Sequence, residues 1–369
     1  MFRFIYSFIY FVFLPFRKIE VDVLFYAPSH FNRGVNNENQ FFKPLTDSCI
    51  KNNLSYLILE EPSGGTHCRD NQSIPFDSVF RLIIFLRKWM KVESDIIATE
   101  NKIGIFLSKT LFRNFKYKNY IVLSKSMISV FSTINKDAKL FDLQHGIIFT
   151  NKPDYFSNDI ISPHLEKNNV KLLLSGIKFK EILIKNDKSS FIESNTHVIG
   201  IPKMNTKTLH ERSNKNILVT LQFTEDHSEI QNKKLLLELD EFIVSHSEYT
   251  FFLKNHPRFN NEVDLKILID KRNVKFSSSQ LFDCFQICSI HLTAYSTTSF
   301  ECATVGIPTL FLTSLQSDFN MFNKDFSYPL KNDIKYIENN YLECSELVKR
   351  WESEYYSTFD ELKFISLLK

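Results

Sequence analysis

Three segments of this 369-residue chain join an apolar run to residues able to bind or move charge. The first is Ala138-Lys139-Leu140-Phe141-Asp142-Leu143, which runs into Gln144-His145-Gly146. The second is Phe251-Phe252-Leu253-Lys254, followed by Asn255-His256-Pro257-Arg258. The third is His291-Leu292-Thr293, followed by Ala294-Tyr295-Ser296-Thr297-Thr298-Ser299. Each reads as a strand ending in polar groups. In open α/β sheets, ligands bind at the carboxyl ends of strands. An imidazole with an ordinary pKa of about 6.5 can take a proton from a hydroxyl near neutral pH. His145 is therefore the candidate general base, and a hydrogen-bonded structural histidine at a turn is the plainer alternative. Gly146 lets a substrate approach the backbone closely, and Gln144 shares the corner.

Lys254, His256 and Arg258 bring three donors to one strand end, a set suited to a phosphate. The competing reading is an exposed basic turn. Ser296, Thr297, Thr298 and Ser299, with Glu301 just beyond them, open a helical pattern. Hydroxyls and free backbone amides at a helix start bind anions, and simple capping by the same groups is compatible with that role. Thr220 and Gln222 close the first strand of the second half and are weaker candidates for the same cleft. In the first half, Asp95-Ile96-Ile97-Ala98 reads as a short strand. It places Glu100 and Asn101 at its end, with Glu100 as an acceptor-side contact.

These corners need a scaffold of alternating strands and helices. Strands are expected at 21–26, 54–59, 95–98, 120–123, 138–143, 171–174 and 197–199, then at 217–220, 251–254 and near Val274, Ile290 and Thr309. Helical patterns lie between them, including 37–52, 80–90 and 229–245. The polar stretch 203–216 has no core pattern and reads as a linker. The expected fold is α/β, with two facing Rossmann-like doubly wound domains. The expected boundaries are a hydrophobic segment 1–18, an acceptor-side domain 19–205, and a donor-binding domain 206–369 that includes the C-terminal helices.

Composition removes several classes. With 45 basic and 42 acidic residues the net charge is +3, too balanced to indicate nucleic-acid binding. Hydrophobic residues make up 43%, enough for a sizeable core. The eight glycines form neither Gly-x-Gly-x-x-Gly nor a phosphate loop, which disfavours classical dinucleotide enzymes and P-loop NTPases. Asp-x-Asp is also missing, so no metal site is expected. The six cysteines include no Cys-x-x-Cys pair and fit a reducing cytoplasm. Phe4 to Phe16 is almost wholly apolar and aromatic, flanked by Arg3 and by Arg17-Lys18. It is shorter than the roughly 20 residues of a bilayer span. Two readings stay open: an anchor at the inner-membrane interface, or a hydrophobic helix docked on the protein itself.

At motif level, residues 138 to 315 resemble a known group. The second half resembles the nucleotide-binding half of GT-B glycosyltransferases. His256-Pro257 and the Ser296-Thr297 run resemble the His-Pro and Ser/Thr motifs of bacterial sialyltransferases, capsule Kdo transferases and CDP-glycerol glycerophosphotransferases. The resemblance implies that these motifs hold the donor nucleotide and its phosphate. Gln144-His145-Gly146 resembles the His-Gly segment that supplies the base in the glycerophosphotransferases. The acidic Asp/Glu-Asp-Gly motif of the sialyltransferases is missing. The implied activity is metal-independent, inverting transfer from a CMP-, CDP- or UDP-linked donor to a glycan or lipid-linked acceptor. The setting would be capsule, O-antigen or lipopolysaccharide assembly at the cytoplasmic face of a bacterial inner membrane. A CDP-polyol phosphotransferase, a nucleotide-sugar 2-epimerase and a non-catalytic glycan-binding protein remain alternatives.

Overall fold

A computed structural model describes residues 2–32, 37–62, 69–93, 95–157, 159–202, 208–224, 227–256, 259–260 and 262–369, with backbone only at 316–319 and 321. The chain divides into two compact units, residues 1–202 with 357–369, and residues 203–356.

The first unit is built on seven strands: β1 (Ile19–Pro28), β2 (Tyr56–Glu61), β3 (Ser73–Pro75), β4 (Phe115–Leu123), β5 (Lys139–Leu143), β8 (Lys171–Leu174) and β9 (Thr196–Val198). Two short strands, β6 (Phe156–Ser157) and β7 (Ile160–Ile161), pair antiparallel outside that sheet. The sheet order is β3-β2-β1-β4-β5-β8-β9, and every pairing within it is parallel. Parallel strands covered by helices on both faces are apolar throughout rather than alternating. Accordingly, β1 is buried without interruption from Val23 to Pro28. After β3 the chain returns to the far side of β1 to form β4. Strand order therefore reverses at β1/β4, where open α/β sheets bind ligands.

The second unit repeats the plan with β10 (Asn216–Thr220), β11 (Thr250–Lys254), β12 (Val274–Phe276), β13 (Ile290–Thr293) and β14 (Thr309–Phe311). Its order is β12-β11-β10-β13-β14, also all parallel. The reversal falls at β10/β13. The helix Glu229–Ser245 follows β10 with the bounds read from the sequence, opened by a Ser228–Gln231 capping box. Its Leu235, Leu239 and Ile243 pack on Ile217, Val219 and Phe251 of the sheet.

Four expectations need correction. Residues 95–98 form no strand: Asp95 accepts hydrogen bonds from the amides of Ile97 and Ala98 and caps the helix Ile96–Lys109. The paired isoleucines carry β propensity, but the N-cap carboxylate and the packing of Ile97, Ile103 and Leu107 outweigh it. The helix expected over 37–52 is confined to Lys43–Lys51, with Pro44 in its first turn. No strand is expected between 59 and 80, yet Ser73–Pro75 forms β3 there. Finally, the C-terminal helix belongs to the first unit. Residues 357–360 run beside 199–201, with bonds from Ile201 N to the Ser357 carbonyl (2.9 Å) and from Asp360 N to the Ile199 carbonyl (2.8 Å). The helix Glu361–Leu368 then buries Phe364, Ile365 and Leu368 against Val23, Ile121 and Phe141.

The N-terminal helix Phe2–Phe13 lies on the first unit through one face. Arg3 bonds Glu60 at 2.9 Å and Asp77 at 3.0 Å. Ser7 Oγ meets Ser78 Oγ at 2.8 Å, and Phe11 packs edge-on against Phe76. Among the described residues, no helix is long and apolar enough to cross a membrane.

Candidate functional site

In the first unit, β4 and β5 end side by side and deliver Ser124 and His145 to one corner. The Ser124 Oγ and His145 Nε2 are 3.0 Å apart. Phe31, just past the end of β1, meets the imidazole edge-on at 5.2 Å between ring centroids. Asp154 Oδ2 lies 3.9 Å from Nε2, and Lys152 Nζ lies 3.4 Å from the same carboxylate. His145 therefore sits at the end of β5, one strand from the β1/β4 reversal, beside a hydroxyl and a carboxylate and near an ammonium.

Electrostatics changes the expected chemistry of that ring. Burial, then the Lys152 charge, pushes the imidazole down to about 4, against the opposing pull of Asp154. The ordinary value near 6.5 does not apply, and the ring is neutral at pH 7. The Leu143 carbonyl favours the charged ring. Even so, no group of hydrogen-bonding geometry meets Nδ1 among the described residues. With the proton on Nδ1, Nε2 accepts from Ser124 and is the basic nitrogen.

The neighbours of His145 divide into contacts and supports. Gly146 has φ +88°, and a Cβ there would meet nothing within 4 Å. The glycine is thus required by backbone conformation, and the space beside it is open. Gln144 is buried: its Nε2 donates to the Gly146 carbonyl at 2.8 Å, while its Oε1 accepts from Ser175 N at 2.9 Å and Ser175 Oγ at 3.0 Å. It holds the corner in shape. Glu100 lies inside a helix, bonded to Arg87 at 2.5 Å and 3.7 Å from His164 Nδ1. It is carried by the helix Ile96–Lys109 and not by a strand end. A carboxylate that does stand at one is Glu61, which closes β2. It accepts from Ser126 Oγ at 2.6 Å and from Tyr26 OH at 2.9 Å, and burial raises its pKa.

In the second unit the strand ends are cross-linked. Gln222 Oε1 accepts from Tyr295 N at 2.7 Å and from Thr293 Oγ1 at 3.1 Å, tying the end of β10 to that of β13. The Tyr295 hydroxyl bonds His227 Nε2. Thr220 Oγ1 is 2.8 Å from His291 Nε2, and His291 Nδ1 is 3.0 Å from Thr309 Oγ1. Burial pushes His291 down to about 3, so this fully buried ring is neutral and joins three strands. The half-buried Thr220 therefore has its hydroxyl paired with His291.

The basic corner is less convergent than alternation implies. Lys254 Nζ turns to the Ser279 carbonyl, His256 is half-buried, and Arg258 lies outside the described residues. At the third corner Ser296 Oγ donates to Thr298 Oγ1 at 3.0 Å and accepts from Thr298 N at 3.2 Å. Ser299 is fully buried with its Oγ on the Ser296 carbonyl at 2.9 Å, while Thr297 and Glu301 are exposed. Thr297, Ser296 and Thr298 are the hydroxyls left near the surface.

Sequence reasoning missed His227, Asn232 and Tyr295 as members of this corner. His227 and Asn232 line a cavity of about 830 Å³ together with Lys233, Asn260 and Glu262. His227 Nδ1 and Asn232 Oδ1 are buried without partners among the described residues. The capping box at Ser228 was the available signal, since it marks the first helix after β10. Ser124, Lys152 and Asp154 of the first unit carried no signal of their own. Among the described residues, no group of three His, Cys, Asp or Glu is placed to hold a metal.

No protein-family model and no curated protein sequence matches the chain. Solved structures do resemble it in fold. The UDP-GlcNAc 2-epimerase from Neisseria meningitidis, bound to UDP-GlcNAc, superposes with a TM-score of 0.50 at 12% identity, covering 95% of this chain and 99% of that one. The wall teichoic acid polymerase TagF, as a histidine-to-asparagine variant soaked with CDPG, gives 0.52 at 10% identity over 95% and 88%. A UDP-N-acetylglucosamine 2-epimerase from Listeria monocytogenes, itself assigned only by inference, gives 0.50 at 12% over 95% and 95%. The architecture is of GT-B type.

Proposed function

We propose that the chain is a metal-independent transferase that moves a sugar from a nucleotide-activated donor to a growing surface glycan. The carrying observation is the neutral His145 at the end of β5, bonded to Ser124 at the end of β4 next to the β1/β4 reversal. A buried, uncharged imidazole at a ligand-binding strand end has the form a general base needs. Nε2 would take the acceptor hydroxyl proton as its oxygen bonds to the anomeric carbon. The bond from that carbon to the donor phosphate oxygen would break in the same step, with inversion. On the second unit, His256, Ser296, Thr297 and Thr298 would hold the donor phosphates, and Gln222 and Tyr295 would shape their corner. Hydroxyls and backbone amides of this corner would stabilise the leaving phosphate electrostatically.

The second reading is a polyol-phosphate transferase, in which the same base directs attack at phosphorus. The Gln144-His145-Gly146 resemblance to glycerophosphotransferases favours it. In support of either reading, the similar solved structures are an epimerase bound to UDP-GlcNAc and a TagF variant soaked with CDPG. The test is a thermal-shift screen with CMP, CDP and UDP, followed by mass spectrometry of products from CMP-sugar, UDP-sugar and CDP-polyol donors. Sugar transfer supports the first reading and polyol-phosphate transfer the second. Epimerised donor without acceptor points to the epimerase alternative. Nucleotide binding should weaken by about 1.5–3 kcal/mol in His256→Ala. Failure of every nucleotide to bind would sink both readings.

A further inference from the structure

The N-terminal helix resolves its two sequence readings in an unexpected way. Its inner face is docked by Arg3, Ser7 and Phe11. Its outer face has no polar residue: every exposed position from Phe2 to Phe13 is Phe, Ile, Tyr or Val. Phe8 is 54% and Phe13 53% exposed. A water-facing helix surface normally carries charged or polar residues. A contiguous apolar face of this kind marks an interaction surface.

The face does not stop at the first helix. The neighbouring helix Asp77–Trp89 packs on it. Arg81 of that helix lies over the Phe4 ring at 5.1 Å. Beyond Arg81, the same helix exposes Ile84, Phe85 and Trp89, with Trp89 79% exposed and stacked on Phe85 at 5.8 Å. At the other end, Arg113 lies over Phe16 at 5.4 Å. Arg81 and Arg113 thus border the surface, and the exposed Arg17, Lys18 and Lys88 adjoin Phe16 and Trp89 in the chain, with the exposed Glu20 close behind.

We propose that this two-helix face docks the first unit on an anionic lipid bilayer, lying in the interface without crossing it. A helix of 12 residues spans about 18 Å, well short of the ~30 Å hydrocarbon core. Aromatic side chains favour the headgroup level, and a basic rim is attracted to anionic lipid. A two-fold pair of chains burying the same face would instead set one basic rim against another. The surface is separate from the reaction proposed above, and its test measures no turnover.

The full chain is mixed with phosphatidylcholine vesicles, with and without phosphatidylglycerol, and floated on a density gradient. Co-flotation is expected with phosphatidylglycerol, weaker on phosphatidylcholine alone and weaker at high salt. The double substitution Phe8→Glu and Phe13→Glu, at exposed positions, should keep the melting profile and reduce the bound fraction at least ~10-fold. The chain has two tryptophans, Trp89 on this face and the buried Trp351. Emission should therefore shift blue with phosphatidylglycerol vesicles, and the shift should vanish in Trp89→Phe. No flotation of the unaltered chain, or equal flotation of the double variant, overturns the proposal. So does a dimer in light scattering that the double variant dissolves while vesicles bind neither form. If the double variant fails to fold, the Trp89 emission of the unaltered chain decides, and an unshifted spectrum refutes lipid docking.

Discussion

Replacing His145 with glutamine tests the base through its pH profile. Burial and the Lys152 charge hold the imidazole near 4, so at pH 7 about one ring in a thousand is protonated. Turnover should therefore be flat from about pH 5.5 to 8 and fall about tenfold per pH unit below about 4. An ordinary histidine would bend the profile near 6.5 instead. The lowered pKa has a chemical cost as well. At 1.36 kcal/mol per unit, the gap between 6.5 and about 4 removes roughly 3 kcal/mol of proton affinity. His145→Gln should then lose turnover towards the lower end of the usual 10²–10⁴-fold range, about 10². Glutamine can still hydrogen-bond Ser124, so folding and nucleotide affinity should persist. The assay is product formation at saturating donor between about pH 3 and 8, with folding checked by circular dichroism at each pH. A folded His145→Gln enzyme within about threefold of the unaltered rate would refute the base assignment. A profile that bends near 6.5 would refute the burial argument. Glu61, at the end of β2, would be the next base to test.

Three further outcomes follow from the same structure. Asp142 is fully buried, and burial pushes its carboxyl up to about 7, so the folded state keeps a proton that the unfolded state sheds above its ordinary 3.8. Its contribution to stability is therefore lost as pH rises through that window, and Asp142→Asn should gain up to about 4 kcal/mol relative to the unaltered chain between pH 4 and 8. Urea unfolding at both ends of that range checks this, and a pH-independent difference would contradict it. Gly200 has φ +76°, and a Cβ there would sit 2.3 Å from the Thr358 carbonyl oxygen. Gly200→Ala should thus cost about 1–3 kcal/mol or more, read as a lowered melting temperature; an unchanged melt would mean that the 199–201 and 357–360 pairing is not as described. Lastly, the sequence has no Asp-x-Asp motif, so turnover should survive EDTA; complete loss restored by magnesium would reveal an ion site.

Much of the fold was legible because parallel sheets are written in local pattern. Apolar runs such as Val21–Tyr26 and Phe251–Leu253 need only be buried on both faces to become strands. The helical pattern read over 229–245 matches the helix Glu229–Ser245 to the residue. Strand ends are also local, which is why His145 stands out from its glycine and apolar neighbours alone. The failures were equally physical. At Ile96-Ile97, β propensity and the Asp95 cap gave opposite signals, and packing chose the helix. The helix Glu361–Leu368 has an ordinary amphipathic pattern, and no local feature says which sheet receives it; burial of Phe364 beside Val23 and Phe141 does.

The sequence by itself determined which residues end strands and hence which can meet a ligand. Only the tertiary structure decided what each of them does there. Ser124 meets His145 because β4 and β5 are paired neighbours, a relation that a separation of 21 positions along the chain conceals. The imidazole is neutral because packed neighbours exclude water and Lys152 stands close by. Gln144, Thr220 and Ser299 carry the same functional groups as a binding site would, yet each spends them holding the scaffold. Side-chain chemistry is set by residue type, but desolvation and partner geometry are set by what long-range folding brings within a few ångströms.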